Sequence, residues 1–169
     1  HQIAAALAAI HARDIVHRDL KPENVMLVSD DAVESKERIK LLDFGIARKA
    51  TGASVTQPGV IVGTPAYMSP EQCASGAVGP ATDVYAAGIV LYELLTGAPP
   101  FTGESTSVML RHVSEDIPVD PLAAAPAALR SVVLDTLAKE PTRRPSAQQL
   151  ADRLVGRASD PTPLPLTVV

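Results

Sequence analysis

Ile3, Leu7 and Ile10 recur at helical spacing among alanines, which predicts a helix over residues 3–12 that stops before the polar pair Arg13 and Asp14. A short apolar pair, Ile15 and Val16, then leads into a charged loop. Residues 24–28 and 39–42 are short, apolar or β-branched runs that predict two strands of a hairpin, joined by a long acidic and polar loop at 29–38. Residues 49–62, rich in Thr, Ser, Gly and Ala, carry no helical period and predict an extended, mobile segment. Residues 83–95 are apolar almost all round, with Glu93 the interruption, so a helix there belongs at the centre of a domain. Gly97, Pro99 and Pro100 stop it. Further helices are expected over 105–114, 127–138 and 146–155, the last with Ser146 as N-cap behind Pro145. Residues 156–169, with Pro161, Pro163 and Pro165, predict a linker or disordered tail. The pattern is that of a mainly α (α+β) domain over residues 1–155, with a helical core and one small β-hairpin.

A chain of 169 residues, 46% apolar, can bury one substantial core. Its net charge of −4 supplies no basic field for nucleic acid or anionic lipid. The lone Cys73 has no partner for an internal disulfide or a cysteine-based metal site, which suits a reducing compartment. No apolar run approaches the roughly 18 residues of a membrane-spanning helix, and no basic-then-apolar leader opens the sequence, so a cytoplasmic location is expected. The first helix begins with no capping residue or lead-in, so the sequence is expected to start inside a fold.

The chemistry concentrates in His17, Arg18, Asp19, Leu20, Lys21, Pro22, Glu23 and Asn24. A carboxylate, an ammonium and an amide at i, i+2 and i+5, in a loop between helix and strand, can converge on one phosphate and its metal ion. Asp19 can accept or orient a hydroxyl proton, Lys21 can neutralise a phosphoryl group in transfer, and Asn24 can offer its amide oxygen to Mg²⁺. Asp43 leaves the end of the second strand next to Phe44 and Gly45, where an aspartate can reach a metal. A third group runs from Gly63 through Thr64, Pro65, Ala66, Tyr67, Met68, Ser69 and Pro70 to Glu71, and a late pair, Arg143 and Arg144, lies between Pro141 and Pro145.

These three motifs, in this order, resemble the eukaryotic-type serine/threonine protein kinases, and their bacterial members in particular, from the first helix to about Val155. The resemblance implies the C-terminal lobe of a kinase that transfers the γ-phosphoryl group of ATP, with Mg²⁺, to serine or threonine hydroxyls of proteins. Asp19 is then the catalytic base, and Lys21 the γ-phosphate contact that marks serine/threonine specificity. Asn24 and Asp43 become the metal ligands. The position of Met26 lies under the adenine ring, while Phe44 sets active or inactive geometry beside Gly45. Thr64 hydrogen-bonds near Asp19 and Lys21, and residues 63–71 form the platform for the residue after the phosphoacceptor. Glu71 pairs with Arg144, Asp83 supports the catalytic-loop backbone, and His17 and Arg18 are structural or regulatory. Ser69 stands where the family more often has alanine, and the 29–38 loop is longer than usual.

Arg18 lies where a phosphorylated activation segment could dock through its guanidinium. Thr51, Ser54, Thr56, Thr64 and Ser69 are the hydroxyls between Asp43 and Glu71, and the resemblance of residues 54–57 to autophosphorylated bacterial loops selects Thr56 as the phosphosite. Autophosphorylation would pair two copies of the kinase. The glycine-rich loop, strand lysine, helix glutamate and adenine hinge of a complete kinase are expected upstream of His1, in an N-terminal lobe, so residues 1–169 alone should be inactive or nearly so. Two other readings use the same residues: a docking module without catalysis, and a small-molecule phosphotransferase of related fold.

Overall fold

The computed structural model describes residues 1–32, 36–43 and 65–155. Phe44, Gly45, Thr51, Ser54, Thr56 and Thr64 lie outside the described residues, as do the expected extended segment at 49–62 and the Pro-rich tail. Helix α1 (Gln2–His11) is followed by the antiparallel hairpin of β1 (Val25–Ser29) and β2 (Glu37–Leu41). Five more helices follow among the described residues: α2 (Pro70–Cys73), α3 (Pro80–Thr96), α4 (Ser105–Ser114), α5 (Ala127–Thr136) and α6 (Ala147–Val155).

Helix α3 is the axle. Ten of its residues, including Val84, Tyr85, Ile89 and Tyr92, are buried, as an all-round apolar sequence requires. On one side Val84 and Ala87 pack with Ala4 and Leu7 of α1 and Leu150 of α6; on the other, Tyr85, Ile89 and Tyr92 pack with Leu122, Val133 and Leu137. Gly88 permits a close approach to α5, because a Cβ there would come 2.5 Å from Thr136 Oγ1 and 2.9 Å from Leu137 Cδ2. Helix α3 begins three residues before the expected Asp83, since Pro80 suits a first helical position, having no N–H to leave unbonded. It ends at Thr96, one residue past the expected 95, with the expected stop Gly97 left-handed at φ 86° and its N–H donating to the Glu93 carbonyl at 2.7 Å.

The hairpin departs from expectation at both ends. Asn24 belongs to a 3₁₀ turn, Pro22–Asn24, rather than to β1. Ser29, Glu37 and Arg38 are paired strand residues rather than loop, with Ser29 opposite Glu37 and Arg38 opposite Val28. Polar residues on exposed strand ends give no alternation to read. Gln2 ties the hairpin to α1 by mimicking a strand edge: its amide donates to the Glu37 carbonyl and accepts from Ile39 N–H, both at 2.9 Å. Helix α4 has the expected bounds, α5 stops two residues short of 138, and Ser146 caps α6 through a reciprocal pair of bonds with Gln149.

Candidate active site

Asp83, in the first turns of α3, organises the loop from beneath. Its carboxylate accepts the backbone N–H of His17 and that of Arg18, each at 2.8 Å, and lies 2.8 Å from His11 Nε2. Two successive N–H groups can converge on one carboxylate when the backbone turns left-handed, and Arg18 has φ 68°. Such a conformation costs a non-glycine residue about 1–3 kcal/mol, which the buried charge-assisted bonds offset. His17, fully buried, reaches the Leu42 carbonyl through Nε2 at 2.9 Å. One buried aspartate thereby fixes the loop at His17 and Arg18, and the loop fixes the residue before Asp43.

Above this base Asp19, Lys21 and Asn24 meet. Asp19 Oδ2 lies 3.1 Å from Lys21 Nζ and accepts from Asn24 Nδ2 at 3.2 Å, while the same nitrogen donates to the Asp19 carbonyl at 2.7 Å. The 3₁₀ turn at Pro22–Asn24 brings residue 24 back over residue 19. The strand ladder continues one step, from Leu42 N–H to the Asn24 carbonyl at 2.9 Å, so Asp43 directly follows the residue paired with Asn24. Asp43 is exposed and left-handed, φ 49°. Met26 lies on β1, 47% exposed, paired with Lys40.

The described part of the 63–71 segment starts with a 3₁₀ turn, Pro65–Tyr67, and leads into α2. Ser69 is fully buried and caps α2: its hydroxyl accepts from Gln72 N–H at 3.4 Å, and Gln72 Oε1 accepts from Ser69 N–H at 3.0 Å. Gln72 then donates through Nε2 to the Arg18 carbonyl at 2.9 Å, which ties this segment to the loop that carries Asp19. Tyr67 donates to Glu93 at 2.8 Å. Arg144 donates to both oxygens of Glu71, at 2.8 and 2.9 Å, and Thr82 Oγ1 adds a further bond at 2.8 Å. Burial alone would raise the Glu71 carboxyl, but the bonds from Arg144, its own backbone N–H and Thr82 hold it below its ordinary value.

His11, Gln72 and Gln2 escaped the sequence reading. His11 ends a helix and partners an aspartate 72 positions away, so no local signal marks it. Gln72 did carry one: Ser-x-x-Gln before a turn of helix is a capping box. Among the described residues no three His, Cys, Asp or Glu side chains cluster as a metal site.

The described residues, mainly helical with one small hairpin among them, have the architecture of a protein kinase fragment. Residues 1–154 match the family described as protein kinase domain. The chain is 44% identical over 168 residues to the serine/threonine-protein kinase PknB of Mycobacterium tuberculosis (strain ATCC 25618 / H37Rv), an alignment covering 95% of this chain and 26% of that protein. It is 48% identical over 117 residues to PknL of the same strain, covering 69% and 28%. Against PknB of Mycolicibacterium smegmatis it is 47% identical over 145 residues, covering 82% and 22%. This chain belongs to the bacterial eukaryotic-like serine/threonine protein kinase family. It spans about a quarter of the length of these curated relatives.

Proposed function

We propose that these residues form the phosphotransfer half of a kinase that moves the γ-phosphoryl group of ATP to serine or threonine hydroxyls of proteins. The observation that carries the reading is the convergence of Lys21 and Asn24 on one carboxylate oxygen, Asp19 Oδ2, at 3.1 and 3.2 Å. Asp19 takes or orients the proton of the attacking hydroxyl, and Lys21 balances charge on the transferring group. The donor set also fits Mg²⁺. Asn24 commits its amide nitrogen to Asp19, so the oxygen of that amide is the atom left to meet a cation, and Asp43, which follows the residue bonded to the Asn24 carbonyl, would add a carboxylate. Mg²⁺ needs only one or two such protein ligands, completing its shell with phosphate oxygens and water. When bound it would neutralise phosphate charge. Met26, exposed on β1, would meet the adenine ring. Residues 63–71 would receive the substrate segment after the phosphoacceptor, with Thr64 serving Asp19 and Lys21, and Phe44, beside Gly45 in sequence, would set active or inactive geometry.

The test is phosphate transfer to a serine or threonine peptide by the complete polypeptide, with ATP and Mg²⁺. Asp19→Asn, close to isosteric, should lower kcat at least ~100-fold while nucleotide binding persists. Equal rates for variant and wild type would sink the assignment. Peptide mapping of the same wild-type incubation should find autophosphate on Thr56, made by one copy acting on another; phosphate confined to other loop positions would remove Thr56 from the proposal.

A further inference from the structure

The turn Pro65–Tyr67 is met from α4 by His112, a residue the phosphotransfer reading does not use. His112 is fully buried. Its Nε2 lies 3.2 Å from the Ala66 carbonyl and its Nδ1 3.0 Å from the Tyr85 hydroxyl. A carbonyl oxygen can only accept, so Nε2 carries the hydrogen. The ring then offers Nδ1 as an acceptor, and Tyr85 on α3 donates to it. Packing holds the ring in this orientation: Phe101 meets it edge-on at 5.0 Å, and Lys139 Nζ, 5.3 Å from the Phe101 ring centre, donates to the His112 carbonyl at 2.8 Å. Burial first, and then the Lys139 charge, keep the imidazole neutral by lowering its pKa to about 4.

The relay continues past Tyr85. The Arg144 guanidinium lies 4.8 Å from the Tyr85 ring centre, and Arg144 grips Glu71. A path of contacts thus runs from Ala66 through His112, Tyr85 and Arg144 to Glu71, joining both ends of the segment through three separate elements. An apolar side chain of the same size would fill the space but strand the Ala66 carbonyl and the Tyr85 hydroxyl without partners.

We propose that His112 is a positioning residue for the protein substrate: held by Tyr85, it sets the place of the Ala66 carbonyl and so the fit of the substrate residue that follows the phosphoacceptor. The proposal rests on the kinase reading above. Steady-state kinetics of the complete polypeptide, on peptides differing only at that residue, separate this role from bulk stability. His112→Ala should raise peptide KM roughly tenfold and flatten the preference among the peptides, with kcat and the KM for ATP unchanged. His112→Gln, whose amide can donate from the place of Nε2, should restore most of the wild-type KM. Tyr85→Phe removes one hydroxyl and should raise peptide KM a few-fold, which decides the matter if His112→Ala does not fold. Unchanged peptide KM and preference in these variants, or an equal fall in kcat on every peptide, would overturn the proposal. A wild-type protein that transfers no phosphate refutes the kinase reading instead. Hydrogen exchange then decides the relay by itself: His112→Ala should speed exchange at the Tyr67 and Met68 amides but not in α1, and unchanged exchange there would refute it.

Discussion

Arg144 has five N–H donors, and all five find acceptors. Nε donates to the Ala138 carbonyl at 2.7 Å, Nη1 to Glu71 and the Ala81 carbonyl, and Nη2 to Glu71 and the Lys139 carbonyl. The side chain is fully buried and that of Glu71 only 10% exposed, so this pair differs in kind from the surface pairs Arg111–Glu115 and Arg153–Asp135. Exposed pairs contribute little because water screens them. Removing one partner here leaves a buried charge without its counter-ion. Glu71→Ala should therefore cost about 3–5 kcal/mol of unfolding free energy, while Arg111→Ala should cost under about 1 kcal/mol. The double variant Glu71→Ala/Arg144→Met should lose less than the two single changes together, because it removes both charges. Urea unfolding midpoints of the wild type, the three single variants and the double variant measure this. A Glu71→Ala loss no larger than that of Arg111→Ala would show that the pair is solvated after all.

At the level of elements, legibility followed sequence distance. Helix α4 was read to its exact bounds because its apolar period and flanking residues agree, and α3 was recognisable as central because apolar residues cover its whole circumference. Its first turn was missed: Pro80 looks like a breaker until its place at the first helical position is considered. Helix α2, four residues long, and the 3₁₀ turns are too short for any period to register. Asp19, Lys21 and Asn24 were legible as a group because they lie within six positions of each other. Of its supports, Asp83 was legible only through the family resemblance, as was the Glu71–Arg144 pair, and the other partners were not. His11 to Asp83 spans 72 positions, Gln72 to Arg18 spans 54 and His112 to Ala66 spans 46, and such contacts exist only once helices pack. The need for glycine at position 88 is of the same kind, since it comes from Thr136 across the α3–α5 contact.

For the whole molecule, the perturbed groups make stability depend on pH in a calculable direction. His112 has its pKa lowered to about 4 from 6.5, so below pH 6.5 the unfolded chain binds a proton that the folded chain refuses. Its contribution is complete above pH 6.5 and is lost as pH falls toward 4, on the order of 3 kcal/mol in all. Glu71, lowered from 4.5, acts in the same sense at more acid pH, where protonation removes its bond to Arg144. On the alkaline side the sign reverses. Burial raises the Cys73 thiol from 9.0 to about 11, and burial with the Glu93 bond raises the Tyr67 hydroxyl above 10.0, so these groups stay neutral when folded and lose stability as pH climbs past 9. Tyr85, raised chiefly by burial, adds to that limb. Chemical denaturation of the protein carrying this lobe should give a plateau between about pH 6.5 and 9 with a fall on each side. His112→Gln should flatten the shoulder between pH 6.5 and 4 while leaving the alkaline fall intact. An acid limb that keeps its shape in that variant would mean that His112 is not held neutral between Tyr85 and Ala66, and that the relay carries its proton differently from the geometry described.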